Sequence, residues 1–275
     1  MNNLKYRSQK NAEAAAKYWN KPLDKPEWYK IEALADDTAE VIIYDVIGWP
    51  FNDASELVRS LAGMTAKTIT VRINSPGGDV FDAVSIFNAL QSHKSKVITR
   101  VEGLAASAAS FLALAGKEVQ AYQNTMVMIH DPWVCVAGNQ YELRETADIL
   151  EKLSGQMVDI YAGNSSVGKK EIRDMMKAET WMTAKEAKEK GFIDTIVDGK
   201  SAKAQFDLSM FANAPEDLTA EIHDEPAVRK YEKALRDAGA SKSEARAILA
   251  RGLKSASSEE EVLAAKNLLN IIGGK

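Results

Sequence analysis

From Gly103 to Gly116 the chain carries no charged residue, and Glu102 and Lys117 close the run at either end. The first part leaves a strand. The second, from about Ser107 to Ala115, has the alanine-rich composition of a helix and stops at Gly116. A helix that is apolar all round has no face to offer to water, so it must be covered on every side. The run is shorter than the roughly 18 to 20 apolar residues that a bilayer span needs. The cover is therefore protein, and the sequence predicts a layered domain with this segment at its centre.

The flanking signals agree. Val41-Ile42-Ile43-Tyr44, bounded by Gly48 and Pro50, predicts a strand. Asp53 can cap a helix over Ala54 to Ala62, which Gly63 ends. Thr68 to Ile73 predicts a second strand, and Asp79 opens a helix with Val80, Ala83, Val84, Phe87 and Leu90 at helical spacing. Lys96 to Val101, Val119 to Tyr122 and Met126 to Ile129 read as further strands. A long helix follows from Asn139, with Leu143, Ala147, Leu150, Met157 and Ile160 on one side, and ends at Gly163-Asn164. Thr183 and Glu186 have capping-box spacing for a short helix closed by Lys190 and Gly191. Such alternation predicts an α/β domain whose largely parallel strands are covered by helices.

At 275 residues, 45% of them hydrophobic, the chain can build that domain and a smaller appendage. Residues 1–27 read as an N-terminal arm, 28–199 as the α/β domain and 200–224 as a linker without a clear period. Residues 225–275 read as a small helical region of three segments: Pro226 to Ala238, a stretch capped by Ser241 and Glu244, and one capped by Ser257 and Glu260. The net charge of −4 gives no reason to expect nucleic acid as a partner. One cysteine, Cys135, excludes an intrachain disulfide, and with only three histidines a Cys/His zinc cage is disfavoured. No apolar stretch follows Met1 to Arg7, so a soluble chain in a reducing compartment is expected, with no membrane partner.

Three stretches could carry chemistry. Asn74-Ser75-Pro76-Gly77-Gly78-Asp79 joins a strand to a helix, and its paired glycines allow torsions closed to other residues while exposing amide N–H groups. That suits an anion, or an oxyanion that exists only in a transition state. Neither a phosphate loop nor a dinucleotide fingerprint is present. In Gly103-Leu104-Ala105-Ala106-Ser107-Ala108-Ala109-Ser110, a serine falls at the first turn of a buried helix, where the helix dipole favours developing negative charge. The plainer reading makes Ser107 a helix cap and Ser110 a packing residue.

The third stretch, Met126 to Pro132, ends a strand on His130. A serine nucleophile needs a base, and there are three histidines. His93 lies in a polar connection and His223 in the linker, both read as solvated, so His130 is left. A third group should orient the imidazole. Asp131 is adjacent but on a strand end points the other way, and Glu179, Asp174 and Asp194 are not separable from composition alone.

Together these stretches resemble the core motifs of ClpP, the proteolytic subunit of the Clp protease. Asn74-Ser75-Pro76-Gly77-Gly78, Gly103-Leu104-Ala105-Ala106-Ser107 and Met128-Ile129-His130-Asp131-Pro132 match in order and separation. So do Trp181-Met182-Thr183-Ala184-Lys185-Glu186-Ala187 and Gly191-Phe192-Ile193-Asp194, and the likeness spans about residues 30 to 198. The run Val101 to Ser107, Trp28-Tyr29, Glu179-Thr180-Trp181 and the tail around Ala234 to Gly239 are similar to the head-maturation (prohead) protease branch found in tailed bacteriophages.

The resemblance implies a ClpP/crotonase-type spiral of β-β-α units that stacks into homo-oligomeric rings, the long helix being the handle by which rings meet. It implies Ser107 as nucleophile, His130 as general base and Glu179 where the family has an aspartate, with the N–H groups of Gly78 and Ala108 as oxyanion hole. No metal and no cofactor are implied. The expected substrates are scaffold and major capsid proteins, in the host-cell cytoplasm or inside the procapsid; an ATPase partner is left open. Two other readings stay in view. One is a crotonase-type acyl-thioester enzyme, against which the Ser107 and His130 pair argues. The other is a catalytically silent structural or scaffold-binding subunit, which the glutamate at position 179 invites.

Overall fold

The computed structural model describes residues 28–199 apart from 36, 135 and 137, the stretch 210–215, and single positions at 12, 13, 15, 16, 23, 206, 208, 218 and 236. Most of the arm, Cys135, His223, most of the linker and nearly all of the three C-terminal helical segments lie outside the described residues. The chain divides into two compact units, residues 1–206 with 211–213, and residues 207–210 with 214–275. In the second, Leu218 N–H donates to the Pro215 carbonyl at 3.1 Å.

Among the described residues eight strands form one sheet: β1 (Tyr29–Ala33), β2 (Thr38–Tyr44), β3 (Thr68–Ser75), β4 (Lys96–Ala106), β5 (Glu118–Tyr122), β6 (Met126–Ile129), β7 (Thr180–Thr183) and β8 (Thr195–Val197). The main path runs β1-β2-β3-β4-β5-β8, parallel throughout except for β1, which is antiparallel to β2. β4 has two partners on one side. Ile98 to Val101 pair with β5, and Leu104 to Ala106 pair in parallel with β6. β6 in turn pairs antiparallel with β7. The mixed α/β architecture with parallel strands is the fold class expected from the sequence.

Among the described residues six helices accompany the sheet: α1 (Ala54–Ala62), α2 (Val80–Gln91), α3 (Ala108–Ala113), α4 (Gln140–Gly163), α5 (Lys169–Lys177) and α6 (Ala184–Glu189). The caps are the expected residues: the Asp53 side chain accepts from Ser55 N–H and Asp79 from Phe81 and Asp82 N–H, while Asn139 and Thr183 each form a capping box. Every side chain of α3 is buried, as its all-apolar composition requires.

Alternation along the strands sorts the two faces. Val41, Ile43, Ile69, Val71, Ile73, Val97 and Val101 are buried in the core with Leu57 and Leu61 of α1 and Ile86 and Leu90 of α2. The intervening positions carry a polar cluster. Arg72 donates to Glu40 at 2.9 Å and to both oxygens of Glu102 at 2.8 and 2.9 Å, and Tyr44 O–H also donates to Glu102. Burial first, then the Glu102 contact, push the Tyr44 phenol up to about 12.

α4 differs from expectation. Leu143 and Ala147 are exposed and Leu150 is half-buried, whereas Leu153, Met157, Val158 and Tyr161 are buried. Only the second half of the helix reaches the core, so the predicted stripe holds at Met157 and at the half-buried Ile160, and the buried row is set by i, i+4 spacing from Leu153. The residues after His130 form no strand over 131–134, and Trp133 is exposed.

Candidate active site

The end of β4 and the end of β6 lie side by side. Ala106 pairs with Met128, and the next amide, Ser107 N–H, donates to the Met128 carbonyl at 2.9 Å. The residues that follow each strand therefore meet: Ser107 Oγ is 2.7 Å from His130 Nε2. With the imidazole neutral and its proton on Nδ1, the serine hydroxyl donates to Nε2.

Ser107 occupies the position that precedes α3, yet its side chain makes no cap hydrogen bond. Its backbone is at φ 53° and ψ −126°, a conformation that non-glycine residues avoid. The plain cap reading fails on both counts: the hydroxyl is turned to the imidazole, and the backbone is held in a strained bend. Two hydroxyls secure that bend. Ser110 Oγ donates to the Ser107 carbonyl at 2.6 Å and lies 2.7 Å from the Tyr161 hydroxyl on α4. Since Ser110 has one proton to give, Tyr161 donates to Ser110.

The paired glycines lie against this turn. A Cβ on Gly77, whose φ is +104°, would come 2.7 Å from the Ser107 Cβ and 3.0 Å from the Ala108 nitrogen. Gly78, at φ +151°, is held in a bridge with Ile47, which donates to the Gly77 carbonyl at 2.8 Å and accepts from Asp79 N–H at 2.8 Å. Among the described residues neither Gly78 N–H nor Ala108 N–H has an acceptor. Ala108 N–H lies at the positive end of α3, and Gly78 N–H follows the glycine that packs against Ser107.

Burial holds the His130 imidazole below the usual histidine value, and the carboxylates of Glu179 and Asp131 pull the other way. The position of Glu179 follows from strand register. Ile129 pairs with Thr180 across β6 and β7, so the residue after one faces the residue before the other. Glu179 is nevertheless not hydrogen-bonded to His130. Its Oε2 accepts from Ala212 N–H at 2.9 Å, and its Oε1 accepts from Asn213 N–H at 2.7 Å and Trp181 Nε1–H at 3.2 Å. Among the described residues no carboxylate is hydrogen-bonded to the second ring nitrogen of His130.

The other candidates are occupied elsewhere. Asp131 accepts from Ser154 Oγ at 2.5 Å. Asp194 Oδ2 accepts from Val119 N–H at 2.8 Å, fastening β5. Asp174 is exposed on α5 beside Lys170. His93 is half-buried rather than solvated: Nε2 bonds the Leu61 carbonyl at 2.9 Å and Nδ1 accepts from Ser95 N–H at 3.1 Å, which places it structurally between α1 and β4. Phe211, Tyr161 and Ser154 carry no sequence signal for this site. Phe211 sits in a stretch without a period, and the two helix residues are visible only as core spacing.

Among the described residues no group of three or more His, Cys, Asp or Glu side chains is placed to hold a metal ion. Residues 24–200 match the protein-family model described as Clp protease. Over 133 residues, 48% of this chain, the sequence is 36% identical to an ATP-dependent Clp protease proteolytic subunit of Bacteroides fragilis, covering 64% of that protein. A subunit of the same description from Bacteroides thetaiotaomicron is also 36% identical over 133 residues, 60% of its length. The matched stretch thus spans less than two thirds of these relatives.

Proposed function

The chain belongs to the Clp protease family, and we propose that it is a serine endopeptidase working through Ser107 and His130. The observation that carries this reading is the 2.7 Å contact between Ser107 Oγ and His130 Nε2, made by a serine whose backbone is strained and whose side chain caps nothing. Ser107 attacks the scissile carbonyl while His130 takes its proton. The proton then passes from His130 to the leaving amine, and an acyl-enzyme remains. Water, deprotonated by His130, attacks the acyl carbon and frees Ser107. The Gly78 and Ala108 N–H groups receive the oxyanion at both tetrahedral stages, and Glu179 steadies the imidazolium.

The substrates are scaffold and major capsid proteins, cut during phage head maturation in the host-cell cytoplasm or within the procapsid. Support for this comes from the motif runs that resemble the prohead branch, above all Val101 to Ser107 and Glu179-Thr180-Trp181. Homo-oligomeric rings fit the exposed first half of α4, where Tyr141, Leu143 and Ile149 stand clear of the core. One observation favours a silent structural subunit instead: both oxygens of Glu179 are held by the 212–213 backbone.

Labelling with a fluorophosphonate probe tests the reading. An adduct located by mass spectrometry on Ser107, absent in Ser107→Ala and retained in Ser110→Ala, is the expected result. Folded, assembled protein that takes no adduct would favour the silent subunit. Incubation with scaffold and capsid proteins, followed by mass analysis of the fragments, tests the substrate class.

A further inference from the structure

Phe211, Ala212 and Asn213 lie directly on the residues proposed for catalysis. The Phe211 side chain is 6% exposed, and its ring stands edge-on to His130 at 5.6 Å between centroids and to Trp181 at 5.7 Å. The next two residues supply consecutive backbone N–H groups, one to each oxygen of Glu179. Asn213 then donates from Nδ2 to the Ala178 carbonyl at 3.0 Å, which pins it beside the same glutamate. Hydrogen bonds from N–H groups to an ionised carboxylate are about twice as strong as neutral ones, and both oxygens are engaged. Glu179 is thus held in an amide cradle while the β6–β7 register keeps its backbone next to His130. Bringing the carboxylate to the imidazole requires a side-chain rotation once the cradle opens, with no change in strand pairing.

We propose that Phe211–Asn213 is a self-inhibitory clasp, which withholds Glu179 from His130 and covers the imidazole until the segment lifts off the site. The inference rests on the serine-peptidase reading above. It explains how one chain can hold a Ser107–His130 contact together with an acid that is adjacent and yet engaged elsewhere. With the clasp closed, the imidazolium formed on attack lacks its oriented counter-ion, and the substrate lacks access beside the His130 ring. With the clasp open, both obstacles are removed together.

The test compares rates of Ser107 labelling by a fluorophosphonate probe in the full-length protein. Phe211→Ala removes the aromatic cover. Asn213→Pro removes the N–H that Glu179 Oε1 accepts and leaves Phe211 in place, so the two variants open the clasp by independent routes. Each is expected to raise the labelling rate at least about tenfold, a small part of what an oriented triad acid contributes. Adding Glu179→Gln to either variant is expected to abolish the gain. A downfield Nδ1–H proton resonance of His130 should appear in Phe211→Ala and be absent from wild type. Equal labelling of wild type and both folded variants would overturn the clasp alone. So would a gain that survives Glu179→Gln, since the segment would then act without Glu179. Absence of any Ser107 adduct in every folded variant would remove the peptidase reading, and the clasp with it.

Discussion

The Tyr161 hydroxyl on the long helix reaches Ser107 through one intermediary: it lies 2.7 Å from Ser110 Oγ, which donates to the carbonyl of Ser107. Both Tyr161 and Ser110 are buried. Burial drives the Tyr161 phenol well above its ordinary range, so it remains a donor at any working pH.

The two ends of that chain are not equivalent. Tyr161→Phe leaves Ser110 still bonded to the Ser107 carbonyl, and a loss of about 1 kcal/mol is expected. Ser110→Ala strands the buried phenol, while the Ser107 carbonyl keeps the backbone N–H of residue 110 at 2.9 Å, so a loss of roughly 2 kcal/mol is expected. Urea denaturation of the two variants checks the order. A Tyr161→Phe loss as large as that of Ser110→Ala would contradict the donor assignment.

The pH dependence of labelling has a definite sign. His130 works as a base only when neutral, and burial lowers its pKa from the ordinary 6.5. The acid limb of the Ser107 labelling profile should therefore have its midpoint below pH 6.5. Replacing Phe211 by Ala admits water to the ring, which should move the midpoint upward. Rates across pH 4 to 8, a span of about four units around the histidine range, check both directions.

Gly77 has no room for a methyl group. An added Cβ would be 2.7 Å from the Ser107 Cβ and 2.8 Å from the Ala106 carbonyl, at a φ of +104°. Gly77→Ala should displace the nucleophile turn and cut the labelling rate by about 100-fold or more, the scale on which an ångström of misplacement acts. A folded Gly77→Ala protein that labels normally would show that the contact is dispensable.

The Arg72 cluster predicts a stability change. Arg72→Ala leaves Glu40 and the buried Glu102 without their shared cation, and breaking such a pair costs about 3 to 5 kcal/mol. Thermal melts at neutral pH check this. Arg72→Met with Glu102→Leu, which removes the pair together, should be much less harmful.

How far the sequence reaches depends on the length of the pattern. The central run from Gly103 to Gly116 and the caps Asp53, Asp79, Asn139 and Thr183 are legible because composition or a side-chain oxygen marks them locally. β7 and β8 contain four and three residues, too few to display a period. α5 shows only Ile172, Met175 and Met176 to the core among charged neighbours. The approach of His130 to Ser107 follows from elimination among three histidines, since each residue comes directly after a strand. The surroundings of Glu179 do not, because they are set by the antiparallel register of β7 and by Phe211–Asn213, which carry no local signal. The long helix misleads for a related reason: its apolar spacing continues through Leu143, where no core lies beneath it.

The split pairing of β4 has a mechanical consequence. Because Ala106 and Met128 are partners and Ser107 N–H bonds the Met128 carbonyl, Ser107 and His130 ride on one rigid piece of hydrogen-bonded backbone. Motions elsewhere in the protomer can tilt that piece, but they cannot readily change the spacing within it. Glu179 is different: it sits at a positive-φ residue just before β7, and its side chain answers to a separate segment. Of the three groups proposed for the site, Glu179 is the adjustable part, and on that proposal control can be exercised through it without disturbing the other two.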